Sequence, residues 1–467
     1  MSLRGTILQP WNWHTPQTDK TGLNLWNRLK RDASSIKKQG YTAVWLPPAS
    51  EAQDNMNIGY GIRNWRNLCG YWGKESELID ACNALKNEGL QIYHDQVHNH
   101  LMGGNTEKDI WCLSVKKNNK NEPATDSCVW FNTDLPTDFP WLELNHNNFD
   151  AYHPNDWECW AISGKKFDKE AYEDAWGGCD LDFDSMDVVK KLEAFGNWYK
   201  QTVHVDGYRF DAVKHIRPKG TLNFLHAMRL SESRNLFAIG EFLHDNVQLL
   251  HNYISSTLGQ ISMFDVPLQR KFEKVSQQGR SYNLSSLFEN TLTKDNPVLS
   301  VSFVHSHDDM PPMHNKNGRG HYIGDWFISQ AYALTLLREQ GYPMVSDVDV
   351  LRHGDMISRY MLLRQDCTYG HIMDKFDHSA TIGWSFYGGN GYDNSMAVVL
   401  TTGDYGKKWL NTGRPNTTYR DFTEALQHKI VTNHDGWAEF ECPAGNTSAW
   451  IEESKYVSLK DRLNSLS

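Results

Sequence analysis

The chain has 467 residues, 39% hydrophobic and 22% charged, an ordinary globular composition long enough for one large domain and one or two smaller ones. A formal net charge of -10 without any basic stripe argues against nucleic acid as a partner, and no apolar run approaches the roughly 20 residues of a membrane helix. The 18 Trp and 20 Tyr fill cores by default, but their flat faces also suit the apolar faces of sugar rings.

Strand-like sequence begins by Ile7 in "TILQPWNWH". Nothing before it has the charged segment, apolar run and small-residue cleavage site of a secretory signal, so a cytoplasmic protein is expected unless a leader was removed. Next comes a helix, "LNLWNRLKRDASSIKKQG", with Leu25, Leu29, Ala33 and Ile36 at helical spacing, and then the strand "YTAVWLPP". A second helix, "ELIDACNALKNEG", closes on a Gly and leads to the strand "LQIYHDQV". Residues 101–178 break this rhythm. They are rich in Asn, Asp and Trp, show little periodicity, and are too long for an ordinary loop, which predicts a small domain inserted after strand three. From residue 187 the alternation resumes through "VDGYRFDAV", "LFAIGEFL", "ISMFDVP", "VLSVSFVHS" and "YPMVSDV". Eight such strands with intervening helices predict an α/β fold, a (β/α)8 TIM barrel over 1–100 and 179–375, in preference to a doubly wound sheet. Short strands separated by Gly and Asn turns ("TIGWSF", "SMAVVLTTG", "EALQHKIVTN", "WAEFECPAG") then predict a C-terminal all-β domain, a β-sandwich over 376–467.

The eight cysteines include no C-x-x-C pair. Cys112, Cys128, Cys159 and Cys179 fall in one stretch where disulfides are open to an exported protein, whereas free thiols are the plainer expectation in the cytosol.

The chemistry of a parallel barrel sits at the C-terminal ends of its strands. Asp95, Asp211, Glu241 and Asp308 stand at the ends of strands three, four, five and seven. One Asp after a strand is usually a turn residue, but four converging on one mouth are hard to explain that way. Arg209 lies two residues before Asp211, hence on the same face of a strand, where it favours the ionised carboxylate. Such a pair fits an ordinary ion pair and an activated nucleophile equally well. Glu241 has no cationic neighbour in sequence and is expected to keep its proton and serve as an acid. Two carboxyls in such distinct environments are what retaining glycoside hydrolysis requires. Other readings stand beside this one. The histidines of "HNH" (98–100) and "HSH" (305–307) are candidate zinc or iron ligands of a metal-dependent barrel hydrolase, and a non-catalytic glucan-binding protein is a further alternative.

The segments "DQVHNH" (95–100), "GYRFDAVKH" (207–215), "GEF" (240–242) and "FVHSHD" (303–308) resemble, in order, the four sequence signatures of glycoside hydrolase family 13, the α-amylase family. "GYG" (59–61) and "CDLDFD" (179–184) resemble its two auxiliary motifs, and the chain is most similar to the bacterial liquefying branch. The resemblance implies a monomeric enzyme that cleaves internal α-1,4 bonds of starch-type glucans through a covalent glycosyl-enzyme. In that scheme Asp211 is the nucleophile, Glu241 the general acid/base and Asp308 the transition-state stabiliser. Arg209 orients Asp211, His100 and His307 donate to the sugar, and Tyr60 stacks on it. Lys214 and His215 bind glucan on the leaving-group side. Asn99, Asp180 and the carbonyl of His215 match a Ca2+ site whose all-oxygen donors suit calcium over zinc, with further ligands from the inserted domain. Asp182 and Asp184 fit either assisting ligands or a solvated acidic turn. The chain departs from the family at Ser306, where Asn is usual, and at His305, where the nearest branch has Asp.

Overall fold

The computed structural model describes residues 5–466 except 54, 56–57, 103–106, 117–118, 133–148, 153–157, 163–169, 174–177, 232–234, 310–320 and 390; between 103 and 169 it describes backbone elements only. Eight strands form the central sheet: β1 Ile7–Gln9, β2 Ala43–Leu46, β3 Gln91–Gln96, β4 Gly207–Phe210, β5 Phe237–Gly240, β6 Ser262–Phe264, β7 Ser300–Val301 and β8 Met344–Ser346. Each pairs parallel with its neighbours in chain order, and β1 pairs with β8. A bridge between Phe303 and Met344 joins β7 to β8, so the sheet closes into a TIM barrel. Strands covered on both faces read as unbroken apolar runs, and all four residues of β2 are buried.

The helices follow from their apolar spacing. In α1 (Leu25–Lys38) the side chains of Leu25, Trp26, Leu29, Ala33 and Ile36 are buried, the Asn24 side chain caps the first turn by accepting from the Asn27 amide, and Lys37 and Lys38 oppose the dipole in the last turn. α2 (Glu75–Asn87) packs beside it.

Register is what brings the carboxylates together. Arg209 of β4 lies opposite Asp95 of β3, and Phe210 lies opposite Gly240 of β5. The residues that follow the last pair are Asp211 and Glu241, so both emerge side by side at the C-terminal mouth.

Between β3 and β4 a six-stranded sheet forms from His100–Leu101, Cys179–Leu181, Phe149–Tyr152, Glu158–Ile162, Glu107–Lys116 and Asn119–Asn132, antiparallel throughout. Past the barrel, strands Thr381–Phe386, Met396–Thr401, Thr418–Asp421 and Thr447–Glu452 belong to a second antiparallel sheet, faced by the antiparallel pair Gly406–Asn411 and Trp437–Cys442. Along Met396–Thr401 the alternation divides two cores. Met396, Val398 and Leu400 face the barrel, while Ala397 and Val399 join Leu410, Tyr419, Phe440 and Trp450 in a separate core. "EALQHKIVTN" gives a strand only at Lys429–Val431, because Asp421 accepts hydrogen bonds from the amides of Thr423 and Leu426 and turns the chain there. The two antiparallel layers match the expected C-terminal β domain, and a helix, Glu453–Asn464, follows the last strand and buries Tyr456 and Leu459 against the sheet.

Phe440 is fully buried in the smaller core and edge-on to Tyr419 at 5.4 Å. Phe440→Ala is therefore expected to lower stability by about 3–5 kcal/mol, read by denaturant unfolding; a loss under about 1 kcal/mol would contradict this core assignment.

Candidate active site

Arg209 sits at the centre of the barrel mouth with 2% of its side chain exposed. Its Nη1 lies 2.8 Å from Asp95 Oδ1 and 2.7 Å from Asp211 Oδ1, and its Nη2 lies 3.3 Å from Glu241 Oε2. Asp95 also accepts from the Tyr60 hydroxyl at 2.7 Å and the Trp45 indole at 3.1 Å. The strand period alone places Arg209 beside Asp211. Glu241 departs from its expected setting, since register brings it the cation that its own sequence neighbourhood lacks.

Burial is nevertheless the strongest influence on Glu241 and pushes its pKa up to about 8; Arg209 pulls it down, while Asp211 and Asp308 push it further up. One guanidinium cannot balance three buried carboxylates. Glu241, with the longest contact to Arg209, is the one that keeps its proton. Burial likewise raises Asp95, to about 7, against the pull of Arg209. The Ala212 amide donates to Glu241 Oε2 at 2.8 Å from a left-handed residue (φ 50°), a conformation that costs a non-glycine residue about 1 kcal/mol.

On the opposite side of the mouth, Trp13 Nε1 donates to Asp308 Oδ1 at 2.8 Å. The His307 ring stacks on Tyr60 at 5.2 Å and 6° and lies 4.6 Å from Trp11. Burial pushes its pKa down to about 4, so the ring is neutral at physiological pH. The Gln9 amide donates to Nδ1 at 2.9 Å, which leaves the proton on Nε2, 3.5 Å from Asp308 Oδ2. Tyr60 reaches this position through Gly59, at φ 108°, where an added Cβ would come within 2.4 Å of the Pro48 carbonyl. Sequence reasoning misses Gln9 and Trp13; the signal that could have found them is their place at and just beyond the end of β1.

His100 places Nε2 3.0 Å from the Tyr60 carbonyl and Nδ1 3.3 Å from the Asn99 amide. Lys214 and His215 both reach the end of the inserted segment, with Lys214 Nζ 3.1 Å from Glu173 Oε2 and His215 Nδ1 2.6 Å from the Glu173 carbonyl. Asn99 and Asp180, both buried, adjoin where His100 pairs with Asp180 and the Leu181 amide donates to the Asn99 carbonyl at 2.9 Å. Their oxygens are a donor set that suits a hard cation. Asp182 accepts from the Asp184 amide and Asp184 pairs with Arg217, which is the behaviour of an acidic turn. The calcium ligands expected from the inserted domain lie outside the residues whose side chains are described.

The histidines considered as zinc or iron ligands do not converge. His98 is packed among Phe183, Phe210 and Phe224 with the Thr221 hydroxyl at 3.5 Å, and His305 is held by Asp349 at 2.9 Å. Among the described residues no three His, Cys, Asp or Glu side chains cluster as a metal site. Cys69, Cys82, Cys179, Cys367 and Cys442 are free, while Cys112, Cys128 and Cys159 lie outside the described side chains.

A closed parallel barrel with a buried arginine among carboxyls, faced by a wall of aromatic rings, is the framework of a sugar-cleaving barrel enzyme. Residues 33–319 match the model of the α-amylase catalytic domain. The chain is 31% identical to a glucan 1,4-α-maltohexaosidase of Bacillus sp. (strain 707), over 96% of this chain and 92% of that one. It is 28% identical to a cytoplasmic α-amylase of Escherichia coli (strain K12), over 96% and 99%. In fold it is similar to the α-amylase of Geobacillus thermoleovorans solved with acarbose, with a TM-score of 0.68 at 16% identity, covering 97% of this chain and 98% of that chain. The chain belongs to the α-amylase family of glycoside hydrolases.

Because Glu241 holds its proton up to about 8, an acid role predicts that the alkaline limb of the kcat/KM profile begins near that pH. Above it, kcat/KM should fall by about tenfold per unit as the proton is lost. A profile still level two units above would exclude Glu241 as the acid.

Proposed function

We propose that the protein is an endo-acting 4-α-glucan hydrolase, an α-amylase that cleaves internal α-1,4 bonds of starch- or glycogen-type glucans with retention of configuration. The observation that carries this reading is the Arg209 cluster, in which the Asp211 carboxyl lies 2.7 Å from the guanidinium while the Glu241 carboxyl, its pKa raised by burial, stands at the neighbouring strand end. Asp211, oriented by Arg209, attacks the anomeric carbon and forms a glycosyl ester. Glu241 gives its proton to the departing glycosidic oxygen. The Glu241 carboxylate then removes a proton from water, which attacks the same carbon, breaks the ester and frees Asp211. Asp308 stabilises the oxocarbenium-like charge in both steps.

His307 offers its Nε2 proton to the sugar in the cleavage subsite, His100, whose Nε2 faces the Tyr60 carbonyl, lines that subsite, and Tyr60 supplies the aromatic face. Lys214 and His215 line the leaving-group side. We further propose Ca2+ at Asn99, Asp180 and the His215 carbonyl, where it would brace the junction of barrel and inserted sheet. The division into a barrel (1–100 and 179–375), an inserted domain (101–178) and a C-terminal β-sandwich domain (376–467) is part of the same proposal, as is a monomer acting on glucan alone. The free thiols and the cytoplasmic relative support a cytoplasmic setting. No helix among the described residues is long and apolar enough to cross a membrane.

Asp211→Asn and Glu241→Gln are each expected to lower kcat on soluble starch by about 10³-fold or more while leaving Tm within a few degrees of the parent. Cleavage at the parental rate by either variant would sink the assignment. Removing calcium with a chelator should lower the Tm, with recovery on adding Ca2+ and not Mg2+, because the smaller ion demands tighter octahedral geometry. A Tm indifferent to both would remove the metal from the proposal.

A further inference from the structure

His305 and Ser306 stand just before the His307–Asp308 pair in the turn after β7. The His305 ring is fully buried and stacks on Tyr322 at 4.7 Å and 3°. Its Nδ1 lies 2.9 Å from Asp349 Oδ1, and its Nε2 lies 2.9 Å from the Ile323 backbone nitrogen. An amide N–H needs a lone pair to donate to, so Nε2 carries no proton and the single ring proton sits on Nδ1, donated to Asp349. The other Asp349 oxygen accepts from the Tyr332 hydroxyl at 2.7 Å. The ring therefore joins three elements: the turn after β7, the segment 321–323 that precedes helix Asp325–Leu336, and the first turn of helix Asp347–Cys367.

A second stitch runs parallel to the first. Asp309 Oδ1 accepts from the His321 amide at 3.0 Å, and Asp309 Oδ2 accepts from both the amide and the hydroxyl of Ser306, each at 3.0 Å. The Ser306 hydroxyl in turn accepts from the Asp308 amide at 3.3 Å. Asp308 and His307 thus stand between two anchors on the same neighbouring segment, one at 305 and one at 309.

We infer that His305 and Asp349 are positioning residues for the reaction proposed above: they hold the turn 305–309 so that the Asp308 carboxylate and the His307 imidazole stay aimed into the cleft. Neither reaches substrate, since the side chains are 0% and 1% exposed. The effect is transmitted through the backbone of two intervening residues. A displacement of about 1 Å at a charge-stabilising group costs up to about 10²-fold in rate, so the turn has to be held.

The inference rests on the proposed glucan hydrolysis and is tested on the full-length protein with maltoheptaose, far below each variant's Tm. His305→Asn keeps a donor near Asp349 and loses the acceptor for Ile323. Asp349→Asn keeps the shape and removes the charge that fixes the ring proton. Each is expected to lower kcat by about 10- to 100-fold with KM within about twofold of the parent. The double variant should be no slower than the slower single, because the two residues act through one contact. Single variants that fold and keep kcat within about twofold, losses that simply add, or losses that follow the unfolded fraction would each overturn the inference. If one variant does not fold, the other alone decides by its kcat-against-KM split. Failure of the parent itself to cleave glucan would count against the proposed function and not against the brace.

Discussion

A single buried guanidinium governs the charge state of the whole barrel mouth. Removing an ion from water costs several kcal/mol unless its partners are close and well aimed, and Arg209 meets that condition with Asp95, Asp211 and Glu241 at once. Removing Arg209 would leave buried carboxyls facing one another with no cation among them. The same cation cannot neutralise all three carboxyls, so one must stay protonated. Charge balance in a dry pocket thus separates the base-like and acid-like carboxyls of one site, with Trp45 and Tyr60 stacked over the guanidinium at 5.0 and 5.7 Å to keep water out.

The other half of the mouth is built from rings. Trp11 and Trp13 each lie 4.6–6.2 Å from Tyr60 and His307, which stack on each other at 5.2 Å. A wall of this kind lowers the local dielectric, strengthens the ionic contacts opposite it, and offers apolar faces for sugar rings. Gln9 at the end of β1 selects the tautomer of His307, so the first and seventh strands act together although 298 residues separate them. The turn after β7 is tied to two helices through His305, Asp349 and Asp309, and the aim of Asp308 is accordingly a property of the packed fold and not of its own strand.

Features that depend on local period are legible in the order of the residues. Helical spacing locates α1, and alternation of apolar strands with helices indicates the barrel. The i, i+2 relation of Arg209 and Asp211 foretells their contact, because side chains two apart on a strand share a face. The C-terminal helix is hard to read because Glu453–Asn464 has a weak apolar stripe and fully buries only Tyr456 and Leu459. The strand Gly406–Asn411 is equally hard to read, because Lys408 faces inward and Trp409 outward, which inverts the usual apolar–polar alternation.

What the sequence by itself determined is the set of chemical groups, their order along the chain, and the pairings that strand and helix periods impose over a few residues. Tertiary structure alone decided which groups share a dielectric. It delivered Arg209 to Glu241, set the pKa of Glu241 by burial, turned His307 with Gln9, and converted His305 from a candidate ligand into a buried brace. The physical reason is that pKa, tautomer and aim depend on distances and desolvation between groups that are far apart in the chain. Those quantities come into being only when the barrel closes and its register is set.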